Sequence, residues 1–114
     1  MANNFKNAFA TSVSTNSASP TTVYTANNGS AVNSILIECD VANTASAAIT
    51  VTVQVYDSSA STAYHIVKDA PVPVGGALKV VSGQKVVLNG DDQIRVYASA
   101  SNADVICSIL EDVS

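Results

Sequence analysis

From Ile49 to Tyr56 the chain alternates, with Ile49, Val51, Val53 and Val55 on one side and Thr50, Thr52, Gln54 and Tyr56 on the other. Period-2 alternation predicts a strand with one buried face and one wet face. Similar segments recur along the chain. "TTVYTA" (21–26) is short and β-branched, and "NNGS" (27–30) supplies a turn. "VNSILIECDVANT" (32–44) places Ile35, Ile37, Cys39 and Val41 in the apolar phase and Ser34, Leu36, Glu38 and Asp40 in the other. "DSSAST" (57–62) reads as a loop leading to a hairpin partner strand, "AYHIVK" (63–68). "APVPVGGA" (70–77) carries two prolines and a glycine pair, so it predicts a crossing between sheets rather than a central strand.

"LKVVSGQKVVL" (78–88) predicts two short strands broken at Ser82-Gly83, and "NGDD" (89–92) a turn. "QIRVYASA" (93–100) and "ADVICSILED" (103–112) predict a last hairpin across Ser101-Asn102. At the other end, Phe5, Phe9 and Val13 are spaced four apart, as on a helix face. Thr11, Ser12, Ser14 and Thr15 are poor helix formers, however, so residues 1–19 read as an extended arm, with a weak edge strand as the alternative. About eight strands with turn signals roughly every 8–12 residues and no convincing helix predict an all-β fold. The expected architecture is an antiparallel β-sandwich over residues 20–114, either jelly-roll or immunoglobulin-like. Strand count does not choose between those two orders.

Composition sharpens this picture. A chain of 114 residues fits one domain. Charged residues make up 12%, about half the usual share, so Ser, Thr and Asn must cover much of the surface. Such a surface suits an ordinary β-protein or a subunit whose faces neighbours cover, where unpaired charge is costly to bury. The net charge is −4 and the five basic residues are scattered, which argues against nucleic-acid binding. "MANNFKNAFATS" lacks a hydrophobic segment, and no apolar run approaches a membrane span, so synthesis and folding in a cytosol are expected. Cys39 and Cys107 both fall in apolar phases and read as reduced core thiols, although the pattern alone leaves their pairing open.

Little here suggests catalysis. His65 stands between Tyr64 and Ile66, and strand phase predicts that one of Tyr64 and His65 faces solvent. No Gly-x-Ser-x-Gly elbow accompanies the histidine. Glu38 and Asp40 could converge with Asp91-Asp92 on a hard cation, but no calcium-loop pattern supports this, and turn chemistry explains the aspartate pair. Two cysteines and one histidine are too few for structural zinc. The absence of Trp disfavours a sugar cleft, leaving Tyr24, Tyr56, Tyr64 and Tyr97 as stacking surfaces. Gly75-Gly76 lacks the lysine and helix of a phosphate loop. The expectation is no enzyme, no cofactor and no metal.

The order of segments resembles a group of small virion proteins of tailed bacteriophages. The resembling residues are "TTVYTANNGS", "ILIECDVANTASAAITVTVQVYDSS", "YHIVKDAPVPVGGAL" and "GQKVVLNGDDQIRVYASASNADVICSILED", together spanning about residues 20–112. The closing motif falls on Asp104, Val105, Ser108, Leu110 and Glu111. The resemblance implies a non-enzymatic virion structural protein on the capsid surface, made in the host cytoplasm. Its foremost placement is as a decoration or cement protein on the major capsid protein shell, as a homo-oligomer with a trimer favoured. A tail, connector or fibre-associated protein is the alternative, and a ligand-binding or adhesin module stands further off. Phe5 and Phe9 are the expected partner contacts, the competing reading being that both tuck under their own sandwich.

Overall fold

The computed structural model describes residues 4–27 and 33–113. Eight strands follow one another: β1 (Asn4–Thr11), β2 (Thr21–Thr25), β3 (Asn33–Asn43), β4 (Ile49–Asp57), β5 (Thr62–Val72), β6 (Ala77–Leu88), β7 (Gln93–Ala98) and β8 (Ala103–Val113). They form two four-stranded sheets, sheet A in the order β1-β8-β3-β6 and sheet B in the order β2-β7-β4-β5. Their pairings nest: β1 with β8, β2 with β7, β3 with β6 and β4 with β5, all antiparallel. A chain doubled back on itself and rolled into two sheets gives this order. It is the jelly roll, and the immunoglobulin-like alternative falls away. Between the sheets lies a Val-rich core that includes Leu36, Val41, Val51, Val53, Ile94, Val96, Val105 and Ile109, each essentially inaccessible. Small branched side chains in paired layers suit the close spacing of two packed sheets.

Several local expectations change. The hairpin across Ser101-Asn102 does not form, because β7 lies in sheet B and β8 in sheet A, so that turn crosses between sheets. Residues 78–88 are one strand rather than two. β6 stays continuous through Ser82-Gly83, and the irregularity appears as register shifts against β3. The strand predicted over 63–68 runs on through Pro71 to Val72, which is possible because β5 is an edge strand and an edge N–H is dispensable. The sheet crossing is thereby reduced to the turn after Val72, where Gly76 N–H donates to Pro73 O at 3.0 Å and Gly75 takes φ +73°.

In β3 the burial phase inverts part-way. Ser34 and Leu36 point inward, and so do Cys39, Val41 and Asn43, with a register shift between Leu36 and Glu38. A β-bulge places two residues opposite one and flips the faces beyond it. Ile35 and Ile37, expected in the core, are half-buried on the outer side, and Leu36 takes the inward place. The 27–30 turn lies largely outside the described residues.

The segment read as an arm contributes structure of its own. Residues 4–11 pair with β8 along their length, and Val13 is a core residue. Ser14 then lies beside Tyr97 of β7, where Ala98 N–H donates to Ser14 O at 3.0 Å. The chain thus passes from sheet A to sheet B before β2 begins.

Candidate functional site

The outer face of sheet B is polar and largely self-satisfied. β4 is central in that sheet, and its outward Thr52 and Gln54 are buried rather than wet, because neighbours close over them. Asp69 N–H donates to Thr52 Oγ1 at 3.0 Å, and Gln54 Nε2 lies 3.2 Å from His65 Nε2. The Arg95 guanidinium stacks 3.7 Å from the centroid of Tyr56, and Arg95 Nε donates to Gln93 Oε1 at 2.7 Å. His65 is exposed and held by an amide rather than aligned with a nucleophile. Tyr64 is exposed as well, so both residues face solvent.

Two of the acidic candidates, Asp92 and Glu38, have structural partners, whereas Asp40 Oδ1 is buried without a hydrogen bond. Asp92 is buried and pins two loops together: its Oδ1 accepts from Ser58 N–H at 3.1 Å and its Oδ2 from Asn89 N–H at 3.0 Å. Glu38 lies on the outer side of β3, 3.9 Å from Lys79 Nζ. A hydrogen bond shared with Asp40, together with the repulsion of that carboxylate, raises the Glu38 carboxyl above its ordinary range, and Lys79 opposes the rise. Among the described residues no group of three His, Cys, Asp or Glu is arranged to hold a metal ion. An open concavity of about 610 Å³ at one end of the sandwich is lined by residues 44–49 with Ser99, Ala100 and Asn102, and carries no titratable side chain.

Cys39 and Cys107 are buried, free and directly opposite in the β3–β8 register. Hydrogen bonding to the Cys107 thiol and burial push the Cys39 thiol far above its ordinary range. A raised folded-state value means that the unfolded chain deprotonates first as pH rises. The associated stability is therefore complete below about pH 8.5 and falls above it by about 1.4 kcal/mol per pH unit. Urea titrations at pH 8 and pH 10 should show this loss, and a Cys39→Val variant should have a flatter profile. A thiol reagent should label neither cysteine until the protein unfolds.

The outer face of sheet A differs in kind. In β1, Ala8 and Ala10 pack against the core, so Phe5 and Phe9 point away from it, 81% and 62% exposed. The two rings do not tuck under their own sandwich. Register carries each across the sheet. Phe5 lies opposite Leu110, Leu110 opposite Ile35, and Ile35 opposite Val87, a row of four apolar side chains spanning all four strands. Two rows away, Phe9 lies opposite Ile106, itself 48% exposed, before the row turns polar at Asp40 and Lys79. Asn7, Ser108 and Glu38 separate the two rows. Soluble monomers rarely present an apolar stripe of this length, and the surface is a sheet face rather than a cleft.

The sequence reading singled out Phe5 and Phe9 but missed Ile35, Val87, Ile106 and Leu110. A signal was present: "ILI", "KVVL" and "VICSIL" are apolar in both phases, which a strand with one wet face does not require. Among the described residues no helix is long and apolar enough to cross a membrane. Comparison with protein-family models, with curated proteins and with solved structures finds no match for this chain.

Proposed function

We propose that this chain is a non-enzymatic structural protein of a tailed-phage virion, a decoration protein that seats the outer face of sheet A on the major capsid protein shell. The observation that carries the reading is the row Phe5, Leu110, Ile35 and Val87, which crosses every strand of that sheet. A partner protein covering it removes apolar surface from water at roughly 25 cal/mol per Å². The row itself carries no charged side chain, which keeps the desolvation cost of burying it low, and Glu38, Asp40 and Lys79 lie outside it. The class of partner is inferred from the resemblance of the segment order to that of phage virion proteins. Many copies on one shell then stabilise it through multivalent contact.

Cosedimentation of the purified protein with separated heads and tails tests this. The expected result is saturable binding to heads, weakened at least tenfold by Val87→Asp. Val87 is 60% exposed, so the substitution should leave the melting temperature nearly unchanged. Deleting residues 1–19 is the poorer probe, because it removes β1 and the core residue Val13. Binding to tails alone would move the protein to a connector or tail position. Binding to neither would sink the virion reading.

A further inference from the structure

A two-sheet sandwich has four edge strands, and exposed edges invite pairing with other chains unless something blocks them. Three of the four edges here are blocked. β2 has five residues and a register shift between Thr22 and Tyr24. β5 has two register shifts, Asp69 at φ +50° and Pro71. β6 has two register shifts and presents Lys79 and Lys85, both exposed. β1 has only one of these devices, the exposed Lys6. Its eight residues keep an unbroken register with β8 and contain no proline and no positive φ. Its single charge, Lys6, lies 4.0 Å from Glu111 on the adjacent strand, so even that charge is partly neutralised from within the sheet.

We infer that β1 pairs antiparallel with β1 of a second copy, with Asn7 on the two-fold axis. The strand is self-complementary in that register. Phe5 of each copy meets Phe9 of the other, and Lys6 meets Ala8 rather than a second lysine. A register centred on residue 6 sets lysine against lysine, and one centred on residue 8 sets Phe5 against Thr11. Aromatic cross-strand pairs stabilise a sheet, and like charges directly opposite destabilise one. The pairing also aligns the apolar rows. Val87, Ile35, Leu110 and Phe5 of one copy continue into Phe9 and Ile106 of the other. One sheet of eight strands results, with an outer face twice as wide. Strand edges pair one to one, so this assembly is a dimer, and the trimer expected from the phage resemblance would have to use other surfaces. The inference rests on the edge and its register and does not depend on the virion reading.

The test uses the full chain. Light scattering across a concentration series should show the mass doubling, and Phe9→Lys should return it to monomer with an unchanged circular dichroism spectrum. Cysteine scanning then reads the register, with oxidised glutathione as the oxidant; Cys39 and Cys107 are buried and do not interfere. Asn7→Cys should give a covalent dimer, since directly opposed Cα atoms lie about 4.5–5.5 Å apart. Phe5→Cys and Phe9→Cys should cross-link with each other when mixed, and neither should do so alone. A monomer at every concentration overturns the inference, as does a dimer or trimer insensitive to Phe9→Lys. Cross-linking at all three positions alike would also overturn it. Head binding by a strict monomer would overturn this inference and leave the proposed function standing; dimerisation without head binding would do the reverse.

Discussion

Leu36→Ala is expected to destabilise the fold by about 3 kcal/mol, and Ile37→Ala by less than about 1 kcal/mol. Leu36 is fully inaccessible and belongs to the core between the sheets. Truncating it loses the transfer free energy of the missing carbons and leaves a cavity that two rigid sheets cannot close. Ile37 lies beside the register shift, half-buried on the outer side of β3, and its truncation opens no interior space. Alternation alone predicts the opposite ranking, because it assigns Ile37 to the core and Leu36 to the surface. Urea denaturation of the two variants, compared at constant m-value, separates the cases. Equal losses, or a larger loss at Ile37, would mean that β3 runs without its bulge. A loss of this size matters in a domain whose total stability is of the order of 5–15 kcal/mol.

Asn43→Ala is expected to cost about 2–3 kcal/mol, lowering the melting temperature by roughly 10 °C. Asn43 ends β3 with its side chain buried. Its Nδ2 donates to Ala47 O at 2.9 Å, Val72 O at 3.1 Å and Pro73 O at 3.2 Å, and its Oδ1 accepts from Ala45 N–H at 2.8 Å. One amide thus ties the β3–β4 loop to the crossing between β5 and β6. Alanine leaves a buried donor and several carbonyls without this partner, and each unmet group costs more than the bond itself contributes. Asn43→Asp is expected to be worse at neutral pH, since it sets a carboxylate against three carbonyl oxygens, and to recover in part on acidification as that carboxyl takes up a proton. Thermal melts of both variants at pH 7 and pH 4.5 check this. A drop of under 2 °C for the alanine variant would show that water replaces the amide.

Most strands were legible from local pattern, although β1 reads first as an arm and β6 as two strands. β4 needed only its own alternation, and Ile49, Val51 and Val53 are buried where that alternation put them. Turn chemistry at "DSSAST" and "NGDD" gave the breaks, and the structure explains the latter through Asp92 holding its own turn. The role of Asn43 was not legible, because its partners at Ala47, Val72 and Pro73 are set by how two loops meet. The apolar stripe was half legible. Phe5 and Phe9 stood out as rings in a polar segment, but the rows they belong to exist only once β1, β8, β3 and β6 are in register.

The sequence by itself therefore determined an all-β chain of about eight strands, the inward side of β4 and the burial of Cys39 and Cys107, whose free state only the structure gives. These follow from the two-residue period of an extended backbone, which each segment carries without reference to any other. Tertiary structure alone decided the jelly-roll order, the inverted phase in β3, the crossing at Ser101-Asn102 and the identity of the least guarded edge. Each of these depends on which strand lies beside which. That is a property of hydrogen bonding between distant segments, where a shift of one residue exchanges the faces and nothing in the local pattern records it.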